Sequence, residues 1–208
     1  MAFLSDVHGN LPALEAVLAD VARRAIVDIF VAGDHLLGGD APLDVWMRLT
    51  QVNATLVRGV SDLALASVDP KALAPTTDAE RERLARFVAA REAVGELVLA
   101  RLRRLPERVR IPLLDGNEIV VVHGSPVDPS SEMSHDMTDD ELMSLIADDP
   151  ADIIVCGASH VAFQRELGGI RVLGLGSVGA SPDGRYAHFA VLTPRVDGTM
   201  IEQAYATY

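Results

Sequence analysis

Five side chains with metal-binding chemistry follow short apolar segments of this sequence. Asp6 and His8 come directly after the apolar start of the chain, two positions apart, so a carboxylate and an imidazole can point at one divalent cation. Asp34, His123 and His160 each follow a later apolar run. Mixed Asp and His ligands suit borderline-to-hard cations such as Mn²⁺, Fe²⁺ or Zn²⁺. The sequence therefore indicates a metal centre assembled from well-separated parts of the chain.

Each of these residues also has an ordinary structural explanation. A single Asp after a strand commonly caps the next helix, and a single His at a strand end is commonly a hydrogen-bonded loop residue. The metal interpretation depends on the whole set and on nearby glycines that permit sharp turns, namely Gly9, Gly33, Gly124 and Gly157. His35 adjoins Asp34, but we expect its ring to point away, because successive side chains of an extended chain face opposite sides.

Alternating strand and helix patterns position the candidate ligands. Buried-type apolar runs predict strands at 1–4, 27–32, 55–58, 118–122 and 152–156, with a further strand at 109–114. Helices are predicted after the N-cap Asn10, over residues 43–50, and from the capping box of Thr138 and Glu141. Because loops at the carboxyl ends of strands gather at one edge of an α/β sheet, the candidate ligands are expected to meet there.

Residues 63–106 differ in kind from the rest of the chain. Thr77 and Glu80 have the spacing of a capping box, and apolar residues then recur at helical spacing as far as Pro106. We interpret this segment as a helical insertion that covers one side of the core, within a single domain spanning residues 1–208. Short alternating runs towards the end of the chain predict antiparallel strands and a second sheet packed on the first.

Composition restricts the class of protein. The chain has 208 residues, 49% of them hydrophobic, which suits one α/β domain. No apolar run approaches the ~20 residues of a membrane span, and the start has no signal-peptide pattern, so we expect a cytoplasmic protein without a membrane partner. The single cysteine, Cys156, cannot form an internal disulfide. A net charge of −12 argues against coating nucleic acid, although a bound cation would still attract a small phosphorylated ligand.

The order of these groups resembles the calcineurin-like metallophosphoesterase superfamily, in particular its small bacterial and archaeal branch of predicted phosphodiesterases. The matching segments are Ser5–Leu18, Gly33-Asp34, Arg58-Gly59-x-x-Asp62, His123-Gly124-Ser125-Pro126, Gly157-x-x-His160 and Gly176-Ser177-Val178-Gly179. This resemblance covers nearly the whole chain. It implies a four-layer α/β/β/α sandwich of two mixed sheets, with the site at one edge and a small helical insertion.

The resemblance also implies phosphoester hydrolysis by metal-activated water at a two-metal centre. By the family pattern the first metal is held by Asp6, His8 and His160, Asp34 is the bridging ligand, and His123 is a ligand of the second metal. The remaining second-metal groups of the family are an Asn and another His.

Three positions depart from the family pattern, and all belong to the second-metal side or the phosphate beside it. The family's Gly-Asn-His-Asp motif has Val60 at the Asn ligand and Ser61 at the phosphate-contacting His. Its Gly-His-x-His motif has Ala158 at a second-metal His. Because the first-metal set is complete, we expect one well-held divalent ion instead of two. We expect Mn²⁺, with Fe²⁺, Zn²⁺ or Ni²⁺ as alternatives.

The leading hypothesis is a metal-dependent phosphoesterase that acts on a small phosphodiester or phosphomonoester, with His123, Asp34 and Arg58 as candidate catalytic residues. His123 could donate a hydrogen bond to phosphate instead of binding metal. Arg58 could contribute positive charge, although an arginine at a strand end is more often part of a structural ion pair. A non-catalytic metal-binding or scaffold module, a phosphate sensor and a homo-oligomer are left open.

Overall fold

The computed structural model of the protein describes residues 1–208, which form ten strands and five α-helices. The elements are β1 (Ala2–Leu4), α1 (Leu11–Arg23), β2 (Ile29–Val31), α2 (Pro42–Gln51), β3 (Thr55–Leu56), α3 (Val60–Ser67), α4 (Asp78–Arg103), β4 (Arg108–Pro112), β5 (Glu118–Val122), α5 (Asp139–Ile146), β6 (Ile153–Cys156), β7 (Ala162–Leu167), β8 (Ile170–Leu175), β9 (Tyr186–Thr193) and β10 (Met200–Thr207). None of the helices combines the length and the apolar character needed to cross a membrane.

The strands form two mixed five-stranded sheets that pack face to face. The first has the order β10-β9-β1-β2-β3, with β1 parallel to β2 and antiparallel to β9. The second has the order β4-β5-β6-β8-β7, with β5, β6 and β8 parallel. Because successive side chains of a strand face opposite sides, Phe3 enters the core between the sheets while Ala2 and Leu4 face the helices.

Helices cover the two outer faces. The helices α1, α2 and α4 pack on the first sheet in one cluster of 26 buried residues, which includes Leu14, Trp46 and Leu99. The helix α5 covers the second sheet through Leu142 and Ile146. The result is the four-layer α/β/β/α arrangement that the family resemblance implies.

The segment 63–106 supplies most of α3 and all of α4 to the first outer layer. Thr77 caps α4 by accepting a hydrogen bond from the Glu80 N–H, and the Glu80 carboxylate accepts one from the Thr77 N–H. Gly95 has φ 71° and ψ 168°, so α4 consists of two helical pieces that meet at a kink. Buried residues on both sides of the kink join the same core as α1 and α2. The helices lie where the sequence predicts them, and their status as an insertion within one domain stays a prediction.

The predicted second sheet packed on the first is present, but the strands at the end of the chain are divided between the two sheets instead of forming the second one by themselves. The strand β8 pairs in parallel with β6, whereas β9 and β10 complete the first sheet beside β1. Local alternation reports that a strand exists but not which strand it pairs with. The edge strand β7 was missed because only Phe163 and Leu167 of its six side chains are buried, so it has no apolar run.

Candidate metal centre

Four strand ends bring the five candidate ligands together. Asp6 and His8 follow β1, Asp34 follows β2, His123 follows β5 and His160 lies beyond β6. Two groups of possible ligand atoms result, and within each group all atoms lie within 4.8 Å of one another. The first group joins Asp6, His8 and His160, and the second joins Asp6, Asp34 and His123. Asp6 therefore belongs to both groups and links the ends of the two sheets.

The two histidines of the first group face each other. Their Nε2 atoms are 3.1 Å apart, while His8 Nδ1 lies 2.8 Å from the Leu37 carbonyl and His160 Nδ1 lies 3.2 Å from the Ala180 carbonyl. A carbonyl oxygen only accepts hydrogen bonds, so each Nδ1 carries the proton. In the neutral rings both Nε2 lone pairs then point into the same small space. Such an arrangement is stabilised by a cation, or by a proton, between the rings.

Asp6 supplies the negative charge of this group. Its carboxylate is fully buried; Oδ1 lies 3.2 Å from His160 Nε2 and 3.5 Å from His8 Nε2, yet it accepts no hydrogen bond. The other oxygen, Oδ2, accepts a hydrogen bond from the Ala158 N–H. Buried carboxylate oxygens without a partner are rare because they are costly. One divalent cation would satisfy Oδ1 and both imidazoles, so these residues fit a metal ion.

The ionisation of this group is coupled. Burial alone would raise the pKa of the Asp6 carboxyl, but in their protonated forms the imidazoles of His160 and His8 donate to it, outweigh burial and hold that pKa well below its usual range. Burial would lower the pKa of His8, but the Asp6 carboxylate reverses the effect and raises it. The same carboxylate raises the pKa of His160. Protons therefore compete with a metal for this site, and metal affinity is expected to fall as the pH falls.

The second group adds residues from the ends of β2 and β5 to the shared Asp6. His123 is 2% exposed; its Nδ1 lies 2.8 Å from the Ala32 carbonyl, and its Nε2 lies 3.4 Å from Asp34 Oδ1. Asp34 Oδ1 also accepts a hydrogen bond from the Ser61 N–H at 2.8 Å. As in the first group, a backbone carbonyl fixes the tautomer and turns Nε2 towards the centre.

Asp62 fixes the loop that carries Asp34 through backbone hydrogen bonds. This buried carboxylate accepts hydrogen bonds from the backbone N–H groups of Asp34 (2.9 Å), Gly59 (2.9 Å) and His35 (3.0 Å). Burial opposes its ionisation, but the His35 imidazole and these N–H donors keep the pKa of Asp62 below its usual value. His35 is fully buried, its Nδ1 lies 2.7 Å from Asp62 Oδ2, and it belongs to neither ligand group. Asp62 is thus a positioning residue, and its place in the family motif is the only sequence signal for that role.

The backbone around the centre is strained. Five of the eight non-glycine residues with positive φ surround it, with φ between 49° and 63°: Asp6, His8, Asp34, Ala158 and His160. The left-handed region is unfavourable for residues with a Cβ, by about 1 kcal/mol or more each, and such strain concentrates at functional sites. The turns after β1, β2 and β6 therefore keep an unfavourable conformation that places the candidate ligands.

The three departures from the family pattern lie around the second group. Val60 begins α3 and is 48% exposed, and the Ser61 hydroxyl is buried without a hydrogen-bond partner. Ser61 and Ala158 instead use their backbone N–H groups, which donate to Asp34 and Asp6 respectively. At Ser61 and Ala158 the protein thus has backbone N–H donors where the family has imidazole side chains.

Arg58 is held by the end of α4 and by the segment between α4 and β4. Its Nη2 lies 2.5 Å from a carboxylate oxygen of Glu107, and its Nη1 donates to the Arg103 carbonyl at 2.9 Å. These contacts favour the structural alternative for Arg58 over a role at the phosphate.

A cleft of about 300 Å³ opens onto the first group. It is lined by His8 and His160 together with Asn10, Gly38, Gly39, Gly179 and Ala180. The side chains of His8 and His160 are 16% and 31% exposed. A small ligand can therefore reach these two imidazoles from solvent.

The chain is similar in sequence to a known domain family and to an archaeal protein. Residues 1–197 match the calcineurin-like phosphoesterase superfamily domain. An uncharacterised protein of Methanocaldococcus jannaschii is 24% identical over 199 residues, which cover 89% of this chain and 72% of that protein.

Two solved structures share the fold. A hypothetical protein from Pyrococcus horikoshii OT3 aligns with a TM-score of 0.84 and 22% identity, covering 100% of this chain and 88% of that one. A metallophosphoesterase from Sphaerobacter thermophilus aligns with a TM-score of 0.76 and 22% identity, covering 99% and 87%. At these identities the solved structures show the fold alone, and they confirm the predicted sandwich.

Proposed function

The chain belongs to the calcineurin-like phosphoesterase superfamily, and on that premise we propose that it is a metal-dependent phosphoesterase. The proposed substrate is a small phosphodiester or phosphomonoester, hydrolysed by metal-activated water in the cytoplasm. One observation carries the proposal, namely the inward-facing set of Asp6, His8 and His160. The Asp6 Oδ1 has no hydrogen-bond partner, and the Nε2 atoms of His160 and His8 lie 3.2 Å and 3.5 Å from it.

The proposed roles follow from which atoms face the centre. A bound divalent cation supplies positive charge that polarises phosphate and lowers the pKa of bound water. Asp6, His8 and His160 would hold the ion. Asp34 would supply a second carboxylate between Asp6 and His123. With Nδ1–H on the Ala32 carbonyl, neutral His123 can only accept at Nε2. It would therefore bind metal as the neutral ring, and it would donate to phosphate only as the imidazolium.

We propose that one divalent ion is held well, and that Mn²⁺ is the expected metal, with Fe²⁺, Zn²⁺ or Ni²⁺ as alternatives. The support is the uneven supply of ligands. The first group has three inward-facing atoms, whereas the second has only Asp34 and His123 beyond the shared Asp6. Val60 and Ala158 offer no donor side chain at the two remaining positions.

A non-catalytic metal-binding or scaffold module on the same fold is the second candidate. It is favoured by the lost donors at Val60 and Ala158, and by the engagement of Arg58 with Glu107. Such a module would keep the first ligand group but would not turn over a phosphoester.

Hydrolysis of bis(4-nitrophenyl) phosphate and of 4-nitrophenyl phosphate, with each of the four cations in turn, tests the proposal. We expect turnover with Mn²⁺, and loss of turnover in Asp34→Ala. Asp40→Ala is a matched control in the same loop, because Asp40 is exposed and forms no ion pair. The phosphoesterase proposal fails if the wild type never exceeds Asp34→Ala. Metal retention without turnover would then favour the scaffold module.

A further inference from the structure

A second and larger cavity lies between the first half of α4, the segment that precedes it and the loop after β2. Its volume is about 540 Å³, within the range of about 300–1,000 Å³ that is usual for small-molecule sites. The apolar part of its lining consists of Leu37, Leu73, Ala74, Pro75, Leu84 and Phe87. The space is therefore large enough and apolar enough for a ring system.

This cavity adjoins the candidate metal centre. Gly38 lines both this cavity and the cleft at His8 and His160. The preceding residue, Leu37, accepts the His8 Nδ1 hydrogen bond through its carbonyl. Gly38 has φ 141°, and a Cβ at this position would lie 3.2 Å from the His8 Cβ. A side chain here would be strained and crowded against His8, so the position that borders both spaces favours glycine.

The polar rim of the cavity carries two free positive charges. Arg83 and Arg86 are exposed and form no ion pair or hydrogen bond, whereas Arg81, Arg91 and Arg103 of the same helix all contact carboxylates or carbonyls. Two unpaired guanidinium groups beside one cavity are notable in a chain with a net charge of −12. They would attract an anionic ligand group.

The one acidic residue of the lining, Glu80, is already hydrogen-bonded to the N-terminal cap of α4. Its carboxylate accepts hydrogen bonds from the Thr76 N–H, the Thr76 hydroxyl and the Thr77 N–H, which lower the pKa of Glu80 to about 2. This charge serves the helix cap, so the arginines remain the groups available to a ligand.

We propose that this cavity is a substrate subsite, and that the substrate is a phosphoester whose organic part carries an apolar ring and a second negative charge. The proposal rests on the proposed function, because it places the reacting phosphate at the metal centre. The ring would bury apolar surface of Leu84 and Phe87, and the second charge would face Arg83 and Arg86. The cleft at the metal centre would hold the phosphate alone.

Calorimetric binding of three non-hydrolysable probes to the Mn²⁺-loaded protein tests the subsite without requiring turnover. The probes are methylphosphonate, 2-naphthylmethylphosphonate and the latter with a sulfonate at ring position 6. We expect the naphthyl ring to tighten binding at least tenfold over methylphosphonate, by burial of its apolar surface. The sulfonate should tighten binding by a further factor of about five to ten, as two exposed charge contacts allow.

Two variants test which residues are responsible for the two gains in affinity. Arg83→Ala/Arg86→Ala should remove the sulfonate gain and keep the ring gain, whereas Leu84→Glu should remove the ring gain. Arg101→Ala, also exposed and unpaired on α4 but outside the cavity, is the matched control and should bind like the wild type. Circular dichroism establishes that each variant is folded.

The proposal is overturned if the naphthyl probes bind no tighter than methylphosphonate, or if all variants bind them equally. The phosphoesterase proposal would survive that result, provided that aryl phosphates are hydrolysed. Conversely, probe binding that depends on Arg83, Arg86 and Leu84 would support the subsite even in a protein that hydrolyses none of the aryl phosphates.

Discussion

His8 and His160 face each other through their Nε2 atoms at 3.1 Å, although 152 positions separate them in the chain. Backbone carbonyls hold both Nδ1 protons, so neither ring can turn its lone pair away without breaking a hydrogen bond. The unpartnered Asp6 oxygen closes the set. One buried carboxylate oxygen without a partner and two imidazole lone pairs that face it together fit a cation.

Metal analysis of protein purified without chelators should find about one equivalent of divalent metal per chain. His160→Ala should remove most of it, because this variant deletes one of three ligands of the first group. His135→Ala, an exposed histidine outside both ligand groups, should retain the metal. Two equivalents in the wild type would contradict the expectation of a single well-held ion.

Metal binding should also stabilise the fold. A ligand present at 100 times its dissociation constant stabilises a protein by about 2.7 kcal/mol, which for a chain of this size raises Tm by roughly 5–10 °C. Differential scanning calorimetry with Mn²⁺ measures the shift, and a chelator should reverse it. Asp6→Asn should abolish the response, because the amide removes the charge that draws the ion to both imidazoles. A metal-induced shift of equal size in Asp6→Asn would argue that the ion binds elsewhere.

The sequence was sufficient to predict which residues gather at the candidate centre, but not the backbone groups that orient them, and metal binding by these residues stays a prediction. Asp6, Asp34 and His123 are recognisable because each follows an apolar strand, where the topology of an α/β sheet gathers functional groups. The apolar cavity was not predictable, because Leu37 and Leu84 become neighbours only when α4 packs beside the β2 loop. The histidines are oriented by hydrogen bonds to backbone carbonyls far away in the chain. Such contacts could not be predicted, because every residue has a carbonyl and the sequence does not indicate which one will be near.

Removing the charge of Asp62 should destabilise the protein. In Asp62→Asn the amide cannot accept all the backbone N–H donors now bound, and buried donors are left without partners. We expect a loss of about 2–4 kcal/mol in the free energy of unfolding, measured by urea denaturation at pH 7. Asp40→Asn, an exposed change in the adjoining loop, should alter it by less than about 0.5 kcal/mol.

The cost of Asp62→Asn should depend on pH in a defined direction. The pKa of the Asp62 carboxyl is lower in the folded protein than in the unfolded chain, because His35 and the backbone donors outweigh burial. Its contribution to stability is therefore complete above the unfolded pKa of about 4 and is lost as the pH falls towards the folded value. The difference in unfolding free energy between wild type and variant should shrink below about pH 4. A constant difference at every pH would assign the effect to packing instead of charge.

Arg58 and Glu107 should behave as a structural pair. Because Glu107 and the Arg103 carbonyl hold the guanidinium of Arg58, Arg58→Ala should lower the free energy of unfolding by about 0.5–1.5 kcal/mol and leave kcat unchanged. Glu107→Ala should cost less, because it leaves the carbonyl contact in place. The double variant should cost less than the sum of the two single variants, because both remove the same contact. Urea denaturation and 4-nitrophenyl phosphate hydrolysis measure the two effects separately. If Arg58→Ala lowers kcat tenfold or more while Glu107→Ala does not, the arginine acts on the phosphate and the structural assignment is wrong.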